Sequence, residues 1–236
     1  MFSAMKSSMK KLWNDLAKVD CGNKLVNQFK LHKAIPNRWF DWEMIGKPTI
    51  MIIGQDWGPY FFLKKYIDQY KIEMKKEGFN YNQFLLETFT AHTEKMILKA
   101  LQDGYKKKFN KSISDKDWQQ LFFTVTEMFC RSGKLFRGNE NFDIKGIELS
   151  LPFLKRQIEI IKPKVILALG DMAMKQLILA LEIPLKYKNL TQFIDSIKSK
   201  KYFIHNGITI IPSFHPAAHV SPKSIYDRIS MVWQFI

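Results

Sequence analysis

Thr49-Ile-Met-Ile-Ile53 runs straight into Gly54-Gln-Asp-Trp-Gly58. The first five residues are apolar or β-branched, the composition of a short strand buried on both faces, and the next five are turn formers that stop it. Asp56 therefore stands just past the carboxyl end of a strand, where open α/β sheets bind their ligands. The arrangement returns far downstream, where Ile208-Thr-Ile-Ile-Pro212 enters Ser213-Phe-His-Pro-Ala-Ala-His-Val-Ser-Pro222. One strand end supplies an acid, the other a His-Pro. Taken singly, each is ordinary. An Asp after a strand more often closes a turn or caps a helix, and a His before Pro is more often a surface or satisfied core residue. Their shared context makes the pair informative.

Two more apolar runs, Leu121–Val125 and Val165–Leu169, complete a predicted set of four strands. The second passes through Gly170-Asp171 into a helix bearing Ala173, Leu177, Leu179 and Leu181, and strand, glycine turn and helix form the ordinary parallel-sheet unit. Gly170 lacks the fuller glycine pattern of a dinucleotide site. It reads as structural, letting helix and strand approach closely. Helices are predicted at about 149–161 and 223–235, with helical runs at 81–103. The spacing of Leu12, Leu16, Val19, Leu25 and Phe29 predicts one or two amphipathic helices over residues 4–35. Tyr105-Lys-Lys-Lys-Phe-Asn-Lys111 reads as a loop, either a solvated surface or a phosphate contact through Lys106, Lys107 and Lys108. A polar loop is expected around 131–141, and a polar segment at 186–206 leads through the turn Asn206-Gly207 to the last strand.

A chain of 236 residues can bury one sizeable core. The expectation is a single domain over 1–236 with a helical, basic insertion at about 63–117. A hydrophobic content of 46% excludes general disorder, and no apolar run approaches the roughly 20 residues that span a bilayer. The basic start, Met1 to Lys11, lacks the apolar stretch of a signal peptide, so the expected location is the cytoplasm. Cys21 and Cys130 are the two cysteines, without the spacing of a zinc site, and are expected to be reduced thiols. No metal or cofactor is implied. Thirty-seven Lys and Arg against 22 Asp and Glu give a formal net charge of +15. That favours an anionic partner, with nucleic acid the leading candidate over a merely solvated basic surface.

These segments resemble the uracil-DNA glycosylase superfamily. Gly54-Gln-Asp-Trp-Gly58 is similar to its first catalytic motif, and Ser213-Phe-His-Pro-Ala-Ala218 to its His-Pro motif. Between them, Leu151 to Gly170, with Ala173 after it, is similar to the helix and strand that lead into the central Gly-x-x-Ala of several branches. The resemblance implies a three-layer αβα sandwich around a central four-stranded parallel sheet. It also implies a DNA glycosylase, which flips a base out of single- or double-stranded DNA and hydrolyses its N-glycosidic bond. Asp56 would stabilise the cationic sugar and orient water, while His215 would donate a hydrogen bond to the departing base. The Gly54 to Asp56 turn, with Gln55, would add backbone donors. Trp57, Tyr60, Phe62 and Thr126 would line the base pocket, and Ala217, Ala218, His219 and Val220 would face the duplex, His219 or Val220 as a wedge.

The departures bear on substrate. The family motif places a Tyr directly after Asp-Pro to block the C5 methyl of thymine, whereas this chain has Trp57-Gly58 and reaches Tyr60 later. The Asn that reads the uracil edge has no counterpart in Thr124-Val-Thr-Glu127. Uracil, or a modified pyrimidine of phage DNA removed in antiviral defence, is the expected substrate of an expected monomer. A catalytically silent DNA-binding protein with the glycosylase fold is the alternative.

Overall fold

The computed structural model describes residues 2–22, 25–27, 48–54, 69, 72–73, 75–78, 92–125, 130–132, 144–197, 199–218 and 221–236. In chain order the elements are α1 (Phe2–Ala17), β1 (Leu25–Asn27), β2 (Ile50–Gly54), α2 (His92–Phe109), α3 (Asp115–Trp118), β3 (Leu121–Val125) and β4 (Cys130–Ser132). There follow α4 (Ile144–Ile161), β5 (Val165–Leu169), α5 (Asp171–Ala180), α6 (Leu190–Ser196), β6 (Phe203–His205), β7 (Ile208–Ser213), α7 (Pro222–Ser230) and a closing 3-10 turn, Met231–Phe235.

The central sheet has the order β3-β2-β5-β7-β6. Its first four strands are parallel, as expected from their two-sided apolar sequences, and residues 165–169 of β5 are buried throughout. The expected count of four is corrected to five, because β6 pairs antiparallel along the β7 edge. That strand is three residues long and follows a lysine-rich run, so it carries too little alternation to stand out. The described helices cover the sheet with a continuous core that includes Leu12, Leu98, Leu101, Leu154, Leu177, Ile225 and Trp233.

Three local expectations are also corrected. Leu25 lies on β1, paired antiparallel with β4, rather than on a second amphipathic helix. Helix α2 continues through Lys106, Lys107 and Lys108 to Phe109, because buried Tyr105 and Leu101 anchor a turn whose other faces are free to carry charge. Helix α4 starts at Ile144, which leaves Pro152 inside it rather than in its first turn. Cys21 is disulfide-bonded, which overturns the expectation of reduced thiols. Among the described residues no helix is long and apolar enough to cross a membrane, and no cluster of His, Cys, Asp or Glu could hold a metal ion.

Candidate active site

Strand register sets the geometry of the carboxyl edge. Ile53 faces Ala168, which faces Pro212, so Gly54, Leu169 and Ser213 end their strands at one level. Strand β5 lies between β2 and β7, and two interstrand spacings separate the outer pair by about 10 Å. That interval is wide enough for a nucleobase and its sugar. Asp56 follows Gly54 by two residues in sequence, and His215 follows Ser213 by two.

The histidine is held by its own turn. Ala218 donates its N–H to the His215 carbonyl at 2.8 Å, closing a four-residue turn with Pro216 at its second position, where the fixed φ of proline fits. Within it, the Ala217 N–H donates to His215 Nδ1 at 3.1 Å. An Nδ1 that accepts carries no proton, so the neutral imidazole bears its proton on Nε2. The local sequence thus fixes the tautomer as well as the position. The His215 side chain is half-buried, so it has both a supporting wall and an open approach.

That wall includes Gly170. Its N–H donates to the Ser213 carbonyl at 2.8 Å, carrying the β5–β7 ladder to the last residue before the histidine loop. On the other flank, the Arg228 guanidinium donates through Nη1 to the Pro212 carbonyl at 2.8 Å. Sequence reasoning passed over Arg228. The signal was present, since Ile225, Arg228 and Ile229 have helical spacing and all three are buried. Near the same edge Asp171 pairs with Lys175 at 2.6 Å, and Lys201 lies 3.5 Å from Asp227. Both pairs are well exposed and contribute little stability. The Tyr187 hydroxyl donates to the Asp171 carbonyl at 3.3 Å, and burial pushes that phenol well above its ordinary range.

The structure places the remaining candidates as follows. Gly54 ends β2, and Ala217 and Ala218 follow His215 at the carboxyl edge. Gln55, Asp56, Trp57, Tyr60, Phe62, Thr126, His219 and Val220 lie outside the described residues. Lys106, Lys107 and Lys108 are not brought to His215. From α2 the chain passes through α3 to Gln120, whose carbonyl accepts from the N–H groups of Thr49 and Ile50 at the amino end of β2. These lysines therefore sit toward the opposite end of the sheet. Exposed Lys200 and Lys223 flank the carboxyl edge instead, the first just before β6 and the second in the first turn of α7.

An α/β sheet that holds a pinned histidine at its carboxyl edge has the arrangement in which open sheets bind ligands. The chain matches the family model described as Uracil DNA glycosylase superfamily over residues 77–234, and it belongs to that superfamily. The matched span holds Gly170 and the His-Pro segment and begins after the Asp56 turn. No curated protein matches the sequence.

Proposed function

We propose that this protein is a monofunctional DNA glycosylase that extrudes uracil or a modified pyrimidine and hydrolyses its N-glycosidic bond, leaving an abasic site. The observation that carries the reading is the His215 imidazole, whose Nδ1 is occupied by the Ala217 N–H. That occupation directs an Nε2–H donor toward chemistry in which negative charge develops on a base oxygen. As the bond between C1′ and the base nitrogen breaks, its electron pair leaves with the base, and a donor held in place needs no reorganisation to meet that charge. Asp56 supplies the complementary charge: its carboxylate stabilises the cationic sugar and orients the water that adds to C1′. Because both charges appear only in the transition state, both interactions raise the rate rather than ground-state affinity.

The net charge of +15 supports phosphate attraction independent of sequence. Trp57-Gly58 in place of the blocking tyrosine, and the absence of an Asn near Thr126, favour a pocket that accepts C5 substituents. A modified pyrimidine of phage DNA, removed by a cytoplasmic monomer in antiviral defence, is the substrate that best suits those changes. The test is to incubate the purified protein with DNAs carrying uracil, hypoxanthine, hydroxymethylcytosine or glucosylated cytosine, then to cleave abasic sites with alkali. Strand cleavage on one of these DNAs names the base. No cleavage on any, with DNA binding intact, would favour the silent binding protein. Robust uracil release with rejection of every C5-modified pyrimidine would remove the open-pocket reading and make Trp57 the gate.

A further inference from the structure

Arg228 is 3% exposed, yet it sits on the last turn of α7 with its charge directed at the sheet. Its Nη1 donates to two backbone carbonyls, Pro212 at 2.8 Å and Lys201 at 3.0 Å. The register explains why those two need a shared donor. Phe203 faces Ile210 and Ile204 faces Thr209, so continuing the antiparallel ladder by two residues would set Lys201 opposite Pro212. The ladder stops short of that pair. Pro212 has no N–H to give, and Lys201 adopts a φ of 63° that turns its backbone out of the strand. Two carbonyls are thus left facing a gap at the edge of the sheet. A buried unsatisfied carbonyl is costly, and the guanidinium fills the gap.

We infer that Arg228 is a positioning residue for His215, substituting for the missing strand on the β6 side of the histidine loop. Pro212 precedes His215 by three residues. On the β5 side the neighbouring Ser213 carbonyl is fixed by the Gly170 N–H at 2.8 Å. The two successive carbonyls are therefore clamped from opposite flanks, and the His-Pro turn leaves the sheet from a point with little freedom. Methionine would keep most of the packing volume with no donor for either carbonyl, and lysine would keep a donor only on a shorter, unbranched stem. Exposed Asp195 lies close enough to act electrostatically on the guanidinium, but its carboxylate accepts none of the hydrogen bonds described for Arg228.

The inference rests on the glycosylase reading for its functional consequence, and two readouts separate them. Arg228→Lys and Arg228→Met are compared with the wild-type chain by nitrogen NMR of the histidine side chains, and by base release with DNA saturating. The expected result is a folded Arg228→Met protein whose His215 signal departs from the single Nε2–H tautomer while the other histidines keep theirs. Its base release falls on the order of 10²-fold, the scale of a small misplacement of a reacting group, at unchanged DNA affinity. Arg228→Lys falls between. Folded variants with wild-type His215 signals and rates would overturn the inference. So would loss of folding in both, which would make Arg228 a requirement of the core. A wild-type protein inactive on every DNA would overturn the glycosylase reading alone, since the NMR comparison still decides the role of Arg228.

Discussion

Gly170 stands directly behind His215: a Cβ added to the glycine would lie 3.5 Å from the histidine Cβ. That is ordinary contact, so close packing does not by itself require a glycine there. The backbone does. At φ 97° and ψ 168° the residue occupies a region nearly closed to side chains, at a cost of about 1–3 kcal/mol for any other residue. Gly170→Ala is expected to lower the unfolding free energy by that amount, read as a lower urea midpoint at an unchanged slope, and to slow base release as the backbone beneath His215 adjusts. An unchanged midpoint would show that the turn relaxes freely.

Gly104 limits stability by a different route. A Cβ there would overlap the backbone carbonyl of Ser230, and backbone cannot swing aside as a side chain can. Around this contact α2 is joined to the end of the chain by the Trp233 Nε1 donation to the Leu101 carbonyl at 2.9 Å and by the Tyr226 hydroxyl bond to Asp103. Burial and the neighbouring carboxylate push the Tyr226 phenol up to about 12. Gly104→Ala is expected to cost at least the roughly 1–3 kcal/mol of an overpacked core, read as a lower thermal midpoint, while DNA affinity of the folded fraction is unchanged.

The proposed pair, Asp56 and His215, should separate chemistry from binding. His215→Ala is expected to lose about 10²–10³-fold in single-turnover rate, as when one oxyanion donor is deleted, and to keep its fold. Asp56→Asn is expected to slow excision strongly while DNA affinity holds or rises, because the change removes sugar stabilisation and also relieves repulsion with phosphate. Wild-type turnover in Asp56→Asn would falsify its assigned role.

The four parallel strands were legible because each is an apolar or β-branched run, three of them ended by a turn residue, and Leu121–Val125 and Val165–Leu169 match their predicted bounds. His215 was legible for the same reason, as the first strong polar group beyond β7. What escaped had other causes. Phe203-Ile-His205 carried a local signal in the Asn206-Gly207 turn, whose two positive φ angles close a tight hairpin onto Ile208–Ile210, but three residues after a lysine-rich run show too little alternation to be read as a strand. Helical spacing sets Arg228 on the apolar face of α7 with Ile225 and Ile229, but what it does there appears only when the register shows two carbonyls with no strand to face. The glycine turn at Gly170 was legible as well, but the positive φ of 97° that makes the glycine necessary is seen only in the fold.

Topology also decides which lysines should meet DNA. Lys106, Lys107 and Lys108 end α2 toward the amino ends of the strands, whereas Lys200 and Lys223 flank the carboxyl edge that carries His215. Each phosphate contact contributes about 0.9 to the slope of log affinity against log salt. Lys200→Ala with Lys223→Ala is therefore expected to flatten that slope by about 2 and to weaken binding on every sequence alike, because phosphate contacts carry no base information. Replacing Lys106, Lys107 and Lys108 together removes more charge, yet should leave the slope almost unchanged. The reverse outcome would move the DNA path to the α2 end of the molecule, and a wild-type slope near zero would remove nucleic acid as the partner.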